Sequence, residues 1–391
     1  MDLALKTEVQ AWIDDDPDPS TAAQLQSLLD ADDEERLRKY FAGFLQFGTA
    51  GLRGPIGPGP SCMNRAVVGR TAAGLVNYMR ERSMKKVVIG RDARYGSEDF
   101  TEESAEIFSG AGMDVYVLPR PLPTPVLAYA TQALGADIGV MVTASHNPPQ
   151  DNGYKVYIGP TADGIHYAAS QIINPTDGYI ADYISKVDRL RARPRSTQWT
   201  VLDDSIVNEY VERTARLAPR PGDIKIVYTA MHGVGTETVQ SVFHKAGFSS
   251  LITVDEQCTP DPDFPTVAFP NPEEPGAIDL ALAKARDFNA ELVIANDPDA
   301  DRCAAAINDP LVGWRMLRGD ELGVIFGEWI ARTHPTGIFG NSIVSSSALS
   351  KIAAHYGVDF QEVLTGFKWL AKIEDLAFGY EEAIGYAVDS E

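Results

Sequence analysis

Three aspartates at alternate positions, Asp297, Asp299 and Asp301, stand in the segment Asn296-Asp297-Pro298-Asp299-Ala300-Asp301-Arg302. Converging carboxylates make an oxygen-rich site for a hard cation, and Mg²⁺ characteristically shares such ligands with a phosphate. Ca²⁺ is the alternative ion, but an EF-hand needs a longer ligand set with a glycine and a closing glutamate, and the segment has neither. A plain acidic turn is the other reading, and it leaves three like charges repelling one another. Arg302, next in sequence, is then a surface counter-ion or a bidentate grip on phosphate oxygens beside the metal.

A second segment, Thr143-Ala144-Ser145-His146-Asn147-Pro148, directly follows the apolar run Ile138–Val142. A serine exposed there, flanked by an imidazole, by backbone amides freed at a turn and by a proline that fixes the bend, is placed to accept or donate a phosphoryl group. An ordinary Ser/Asx turn is the competing reading. Glycines 48, 51 and 54 around Arg53, in Phe47–Gly54, let the backbone approach an anion while the guanidinium supplies a bidentate donor. This is no dinucleotide fingerprint, because no strand precedes it and prolines follow. Glu381 and Glu382, in Gly379–Gly385, either accept hydrogen bonds from vicinal hydroxyls or are simply solvated.

The elements that must position these segments follow an α/β rhythm. A strand at Val87–Ile89, a helix at Glu98–Ala111, a strand at Val115–Val117, a helix at Pro125–Leu134 and a strand at Ile138–Val142 lead into the serine loop. The order returns from Lys225 to the aspartate loop and again from Ile338 to the glutamates, so a weak threefold repeat is expected, each loop at the carboxyl end of its strand. Residues 1–45 read as two polar helices with Ser20 capping the second, and Phe47–Pro60 as an extended loop. Boundaries fall near Pro219–Gly222 and in Pro310–Gly319.

At 391 residues the chain is too long for one ordinary core. Its formal net charge of −21 argues against nucleic acid and anionic membranes as partners. The start of the chain lacks a secretory pattern and no stretch approaches a membrane span. Three scattered cysteines, Cys62, Cys258 and Cys303, suit a reducing cytoplasm.

The four segments, in this order, resemble the α-D-phosphohexomutase superfamily of phosphoglucomutases and phosphomannomutases, from about Phe47 to the end of the chain. Phe47–Gly54, Gln150–Lys155, Pro260–Pro275 and Glu381–Gly385 look like the branch of phosphoglucomutase-2 and phosphopentomutase-type enzymes. The resemblance implies three consecutive α/β domains: a helical extension over 1–45, domain I with the phosphoserine loop over 46–221, domain II with the metal loop over 222–318, and domain III with the sugar-binding loop over 319–391. It implies that the third is incomplete and that a fourth, phosphate-binding domain is absent.

By the same resemblance Ser145 is the phosphoserine, completing a Mg²⁺ shell with Asp297, Asp299 and Asp301. Arg53, His146, Lys155 and Arg302 fall at positions that assist proton transfer or bind phosphate; Thr49, Thr365, Lys368 and Glu381 fall at substrate-contacting ones. Ala383 departs from the serine that many members carry. The implied activity is interconversion of hexose 1- and 6-phosphates through a sugar 1,6-bisphosphate, with a glucose 1,6-bisphosphate-type activator. Alternatives are a pentose 1-phosphate to 5-phosphate mutase, a phosphatase, and a truncated, non-catalytic sugar-phosphate binder. Oligomeric state is not legible.

Overall fold

The computed structural model describes residues 1–46, 51–218 and 222–388. The chain forms two compact units, one of Met1–Pro121, Leu127–Ile165 and Gln171–Asp204, the other of Leu122–Val126, His166–Ser170 and Ser205–Glu391. Among the described residues no helix is long and apolar enough to cross a membrane.

In the first unit the amino-terminal stretch forms three helices rather than the expected two, α1 (Leu3–Asp15), α2 (Pro19–Asp30) and α3 (Glu34–Tyr40). The extra break falls where Asp32 takes a positive φ of 56° and Asp33 caps α3. Ser20 does not cap α2: Pro19 fills the first turn, so Asp18 sits at the cap and accepts the Ser20 N–H at 2.8 Å. Asp15 ties the extension down, accepting from the backbone N–H groups of Leu190 (2.8 Å) and Arg191 (3.0 Å) and pairing with Arg70 at 2.6 Å.

The main sheet of this unit is built from β1 (Leu52–Pro55), β2 (Lys86–Arg91), β3 (Asp114–Val117), β4 (Ile138–Val142) and β5 (Asp151–Ile158), in the order β1-β5-β4-β2-β3, with Thr200–Val201 beyond β3. Strands β2, β3 and β4 are parallel, and β5 returns antiparallel to β4. Every residue of β4 is buried, the sign of a strand covered on both faces. The Arg53 segment, expected as loop, is instead an edge strand antiparallel to β5, a place where the sheet tolerates Pro55. Arg53 is opposite Gly153, whose close neighbours, the Thr143 and Leu52 carbonyl oxygens, leave no room for a side chain.

The second unit holds two further sheets. In one, β6 (Ile226–Thr229), β7 (Leu251–Thr253), β8 (Leu292–Asn296) and β9 (Cys303–Asp309) run β7-β6-β8-β9, with a Gly313–Met316 strand beyond β9. In the other, β10 (Ile338–Ser342), β11 (Asp359–Val363), β12 (Leu376–Glu381) and β13 (Gly385–Ala387) run β11-β10-β12-β13. Each has three parallel strands and an antiparallel fourth.

The arrangement β3-β2-β4-β5 of the first unit is the same, so the repeat expected from sequence is a topological one. All three chemistry-bearing loops occupy one position in it, between the third strand and the antiparallel fourth, at a carboxyl end where open α/β sheets bind ligands.

Candidate active site

In the first unit the serine loop leaves β4 and folds into a turn closed by the Asn147 N–H on the Ala144 carbonyl at 3.0 Å. Ser145 takes a positive φ of 52°, and its N–H is held by Thr143 Oγ1 at 2.9 Å. Its Oγ lies 3.1 Å from His146 Nδ1, so a proton can pass between hydroxyl and imidazole. Arg53 reaches the same loop from β1, donating from Nη1 to Asn147 Oδ1 at 3.3 Å, and Asn147 in turn donates to Asp151 at 2.9 Å. Lys155 is buried on β5 opposite Met141. Thr49, with the rest of Phe47–Ala50, lies outside the described residues.

In the second unit the aspartate loop joins β8 to β9. One carboxylate oxygen from each of Asp297, Asp299 and Asp301 falls within 4.8 Å of the others. Asp297 and Asp299 are buried and Asp301 is exposed. Two buried carboxylates and a third at the mouth suit a hard dication, which offsets their mutual repulsion and takes only oxygen donors. These residues therefore fit Mg²⁺.

The loop keeps its shape through its own amides and through bracing from neighbours. The Arg302 N–H donates to Asp297 Oδ1 at 3.1 Å, and the Ala300 N–H donates to the Asp297 carbonyl at 2.9 Å with Ala300 at φ 54°. Tyr228 on β6 donates to Asn296 Oδ1 at 2.9 Å, and the Val234 N–H donates to the Pro298 carbonyl at 2.9 Å. Consecutive left-handed residues, Met231 and His232, bring Gly233 against the Pro298 backbone, where a β-carbon has no space.

The glutamate loop joins β12 to β13. Burial pushes the Glu381 carboxyl up to about 7, against the opposing pull of the nearby Arg302 charge. Glu381 also accepts from the Gly366 backbone, which brings the Thr365–Gly366 turn to it, and Lys368 begins the next turn of chain on the Phe367–Leu370 helix. Glu382 does something else: its Oε2 accepts from Ser342 at 2.7 Å and Ser345 at 3.0 Å, which fastens the loop to the end of β10. The backbone couples the two loops of this unit, since the Cys303 N–H donates to the Ile384 carbonyl at 2.9 Å.

Two residues of these sites escaped the sequence reading. Thr124 holds the Asp299 carboxylate through its hydroxyl at 2.7 Å. Arg94 lies under the serine loop, with its side chain 1% exposed. The one available signal for Arg94 was its place in a polar turn, Arg91–Gly96, at the carboxyl end of a parallel strand.

Three stretches match family models described as Phosphoglucomutase/phosphomannomutase, alpha/beta/alpha domain I (residues 45–174), domain II (208–313) and domain III (318–391). A Haemophilus influenzae protein described as "Probable phosphomannomutase" is 48% identical over 333 residues, 84% of this chain and 68% of that protein. Human phosphopentomutase is 36% identical and human glucose 1,6-bisphosphate synthase 34% identical, each across 98% of this chain, with 68% and 67% of those proteins covered. Among solved structures, a Phosphoglucomutase/phosphomannomutase family protein from Burkholderia thailandensis shares the fold at a TM-score of 0.73 and 22% identity, over 88% of this chain and 72% of that one. With serine, aspartate and glutamate loops set at equivalent places in three successive α/β repeats, the chain belongs to the phosphoglucomutase/phosphomannomutase family of the α-D-phosphohexomutase superfamily, a family of phosphosugar mutases.

Proposed function

We propose that this chain is a phosphosugar mutase that interconverts hexose 1-phosphate and hexose 6-phosphate, with Ser145 as the phosphoryl carrier. The observation that carries the reading is the equivalent placement of three loops: a serine paired to an imidazole, a three-carboxylate cluster followed by arginine, and a half-buried glutamate. A phosphotransferase needs a carrier, a charge-neutralising centre and a grip on the sugar.

In this reading Asp297, Asp299 and Asp301 hold Mg²⁺, which when bound neutralises charge on the transferring phosphoryl group. The bond from Ser145 Oγ to phosphorus breaks as the bond from phosphorus to the sugar hydroxyl oxygen forms. The hydroxyl proton ends on Ser145 Oγ, with His146 Nδ1, 3.1 Å away, relaying it at that end. The resulting bisphosphate turns around, and its other phosphoryl group returns to Ser145 as the steps run in reverse. Arg53, Lys155, Arg302 and Lys368 hold phosphate oxygens, while Thr49, Thr365 and Glu381 orient the sugar. Domains I, II and III span 46–221, 222–318 and 319–391, after the helical extension of 1–45. All three cysteines are free, which supports a reducing compartment, the cytoplasm.

A pentose 1-phosphate to 5-phosphate mutase is the second reading. It is favoured by relatives described as phosphopentomutase and phosphoribomutase, which match 98% of this chain where the 48% identical relative matches 84%. The deciding experiment incubates the chain with Mg²⁺ and catalytic glucose 1,6-bisphosphate, follows glucose, mannose and ribose 1-phosphates by phosphorus NMR, and weighs the intact protein. Hexose conversion with a phosphate on Ser145 is expected. Conversion of ribose 1-phosphate alone selects the second reading, and turnover by Ser145→Ala removes the carrier assignment.

A further inference from the structure

The serine loop is gripped from below by a side chain with no part in the chemistry just described. Arg94 follows β2, and its guanidinium donates to four carbonyl oxygens of one loop. Nη2 reaches those of Ser145 at 2.6 Å and Asn147 at 2.5 Å, and Nη1 those of Pro148 at 2.8 Å and Asp151 at 3.2 Å. Asp92 balances the charge at 3.4 Å from Nε, and is itself held by the Arg94 N–H at 3.0 Å and by Ser97 Oγ at 2.6 Å.

Two features separate this from a core ion pair. Asn147 and Pro148 each precede a proline, so two of the four peptide units whose carbonyls Arg94 takes carry no N–H, and fewer backbone donors are left to fix this stretch. Ser145 itself sits at φ 52°, a conformation that serine adopts only when its surroundings impose it.

We infer that Arg94 is a positioning residue for phosphoryl transfer: it fixes the backbone on both sides of Ser145 so that Oγ is held in place for the phosphoryl group. The inference rests on the reading of Ser145 as carrier. A planar fork is required, because a lysine ammonium keeps the charge but cannot span four carbonyls.

The test compares the wild type with Arg94→Lys, each treated with glucose 1,6-bisphosphate to phosphorylate Ser145 and then mixed with glucose 6-phosphate in a single turnover followed by intact mass. Arg94→Lys should lose phosphate about 100-fold more slowly, the scale of a small misplacement of a reacting atom. The KM for the sugar phosphate should stay unchanged, and thermal unfolding should still show a folded protein. Transfer at the wild-type rate, or a loss wholly in KM, overturns the inference. If Arg94→Lys does not fold, the pair Asp92→Asn with Arg94→Gln, which leaves no buried charge, is put through the same comparison; failure of both to fold makes Arg94 a stability residue and overturns it too. A wild type that takes no phosphate on Ser145 overturns the carrier assignment, and this inference with it.

Discussion

Thr124 and Asp299, 175 residues apart in sequence, are joined twice: the Thr124 hydroxyl donates to Asp299 Oδ2 at 2.7 Å, and the Thr124 N–H donates to the Asp299 carbonyl at 2.8 Å. The second bond places the loop and the first aims the carboxylate. Thr124→Val keeps the shape and the backbone bond but removes the hydroxyl. Partners that orient a ligand typically change metal affinity by about 10–100-fold. The Mg²⁺ concentration for half-maximal activity should therefore rise by about tenfold, with thermal stability little altered, and a metal titration of the purified variant checks it.

The contrast between Thr124 and the aspartates shows what a sequence makes legible. Asp297, Asp299, Asp301 and Arg302 are neighbours in the chain, and an apolar strand runs straight into them, so their convergence is local and readable. Ser145 is readable for the same reason, and the three-part repeat follows from the periodicity of buried strands. Thr124 offers no such sign, since its partner is set by tertiary packing. Arg94 reads as one more charge in a surface turn, and only the fold reveals its burial under four carbonyls. The capping error at Ser20 was a competition between two good caps, settled by Pro19.

Gly233 and Pro298 meet backbone to backbone, and a β-carbon at 233 would land on the Pro298 main chain. Neither partner can rotate out of the way, so the aspartate loop must move. Gly233→Ala should cost about 1–3 kcal/mol, the usual range for overpacking. It should also weaken Mg²⁺ activation, because Pro298 lies between Asp297 and Asp299. Urea unfolding and the metal titration measure the two effects separately, and an alanine variant with normal metal dependence would show that the loop is not braced here.

Lys372 should impose a pH dependence on stability. Its amine bonds to the Ser170 hydroxyl and lies 4.1 Å from the centre of the Tyr167 ring. Burial, with a smaller contribution from the Lys368 charge, pushes it down to about 7. Between that value and about 10.4 for an unfolded lysine, the native state binds fewer protons than the unfolded state, so stability rises with pH. From pH 7 to 9 the gain should be about 2 kcal/mol in the wild type and absent in Lys372→Met. Parallel slopes for the two proteins in urea denaturation would rule out this origin.

Asp15 offers a stability test away from the proposed chemistry. Its carboxylate serves the N–H groups of Leu190 and Arg191 and the Arg70 guanidinium, which also packs 5.2 Å from the Trp12 ring. Asp15→Ala leaves a mostly buried arginine and two backbone donors without that acceptor, and breaking such a pair from one side costs about 3–5 kcal/mol. The loss should appear as a lower urea midpoint. Because Asp15 touches none of the three loops, mutase turnover measured where the variant is still folded should match the wild type. A fall in turnover under those conditions would mean that the helical extension acts on the chemistry, and not on stability alone.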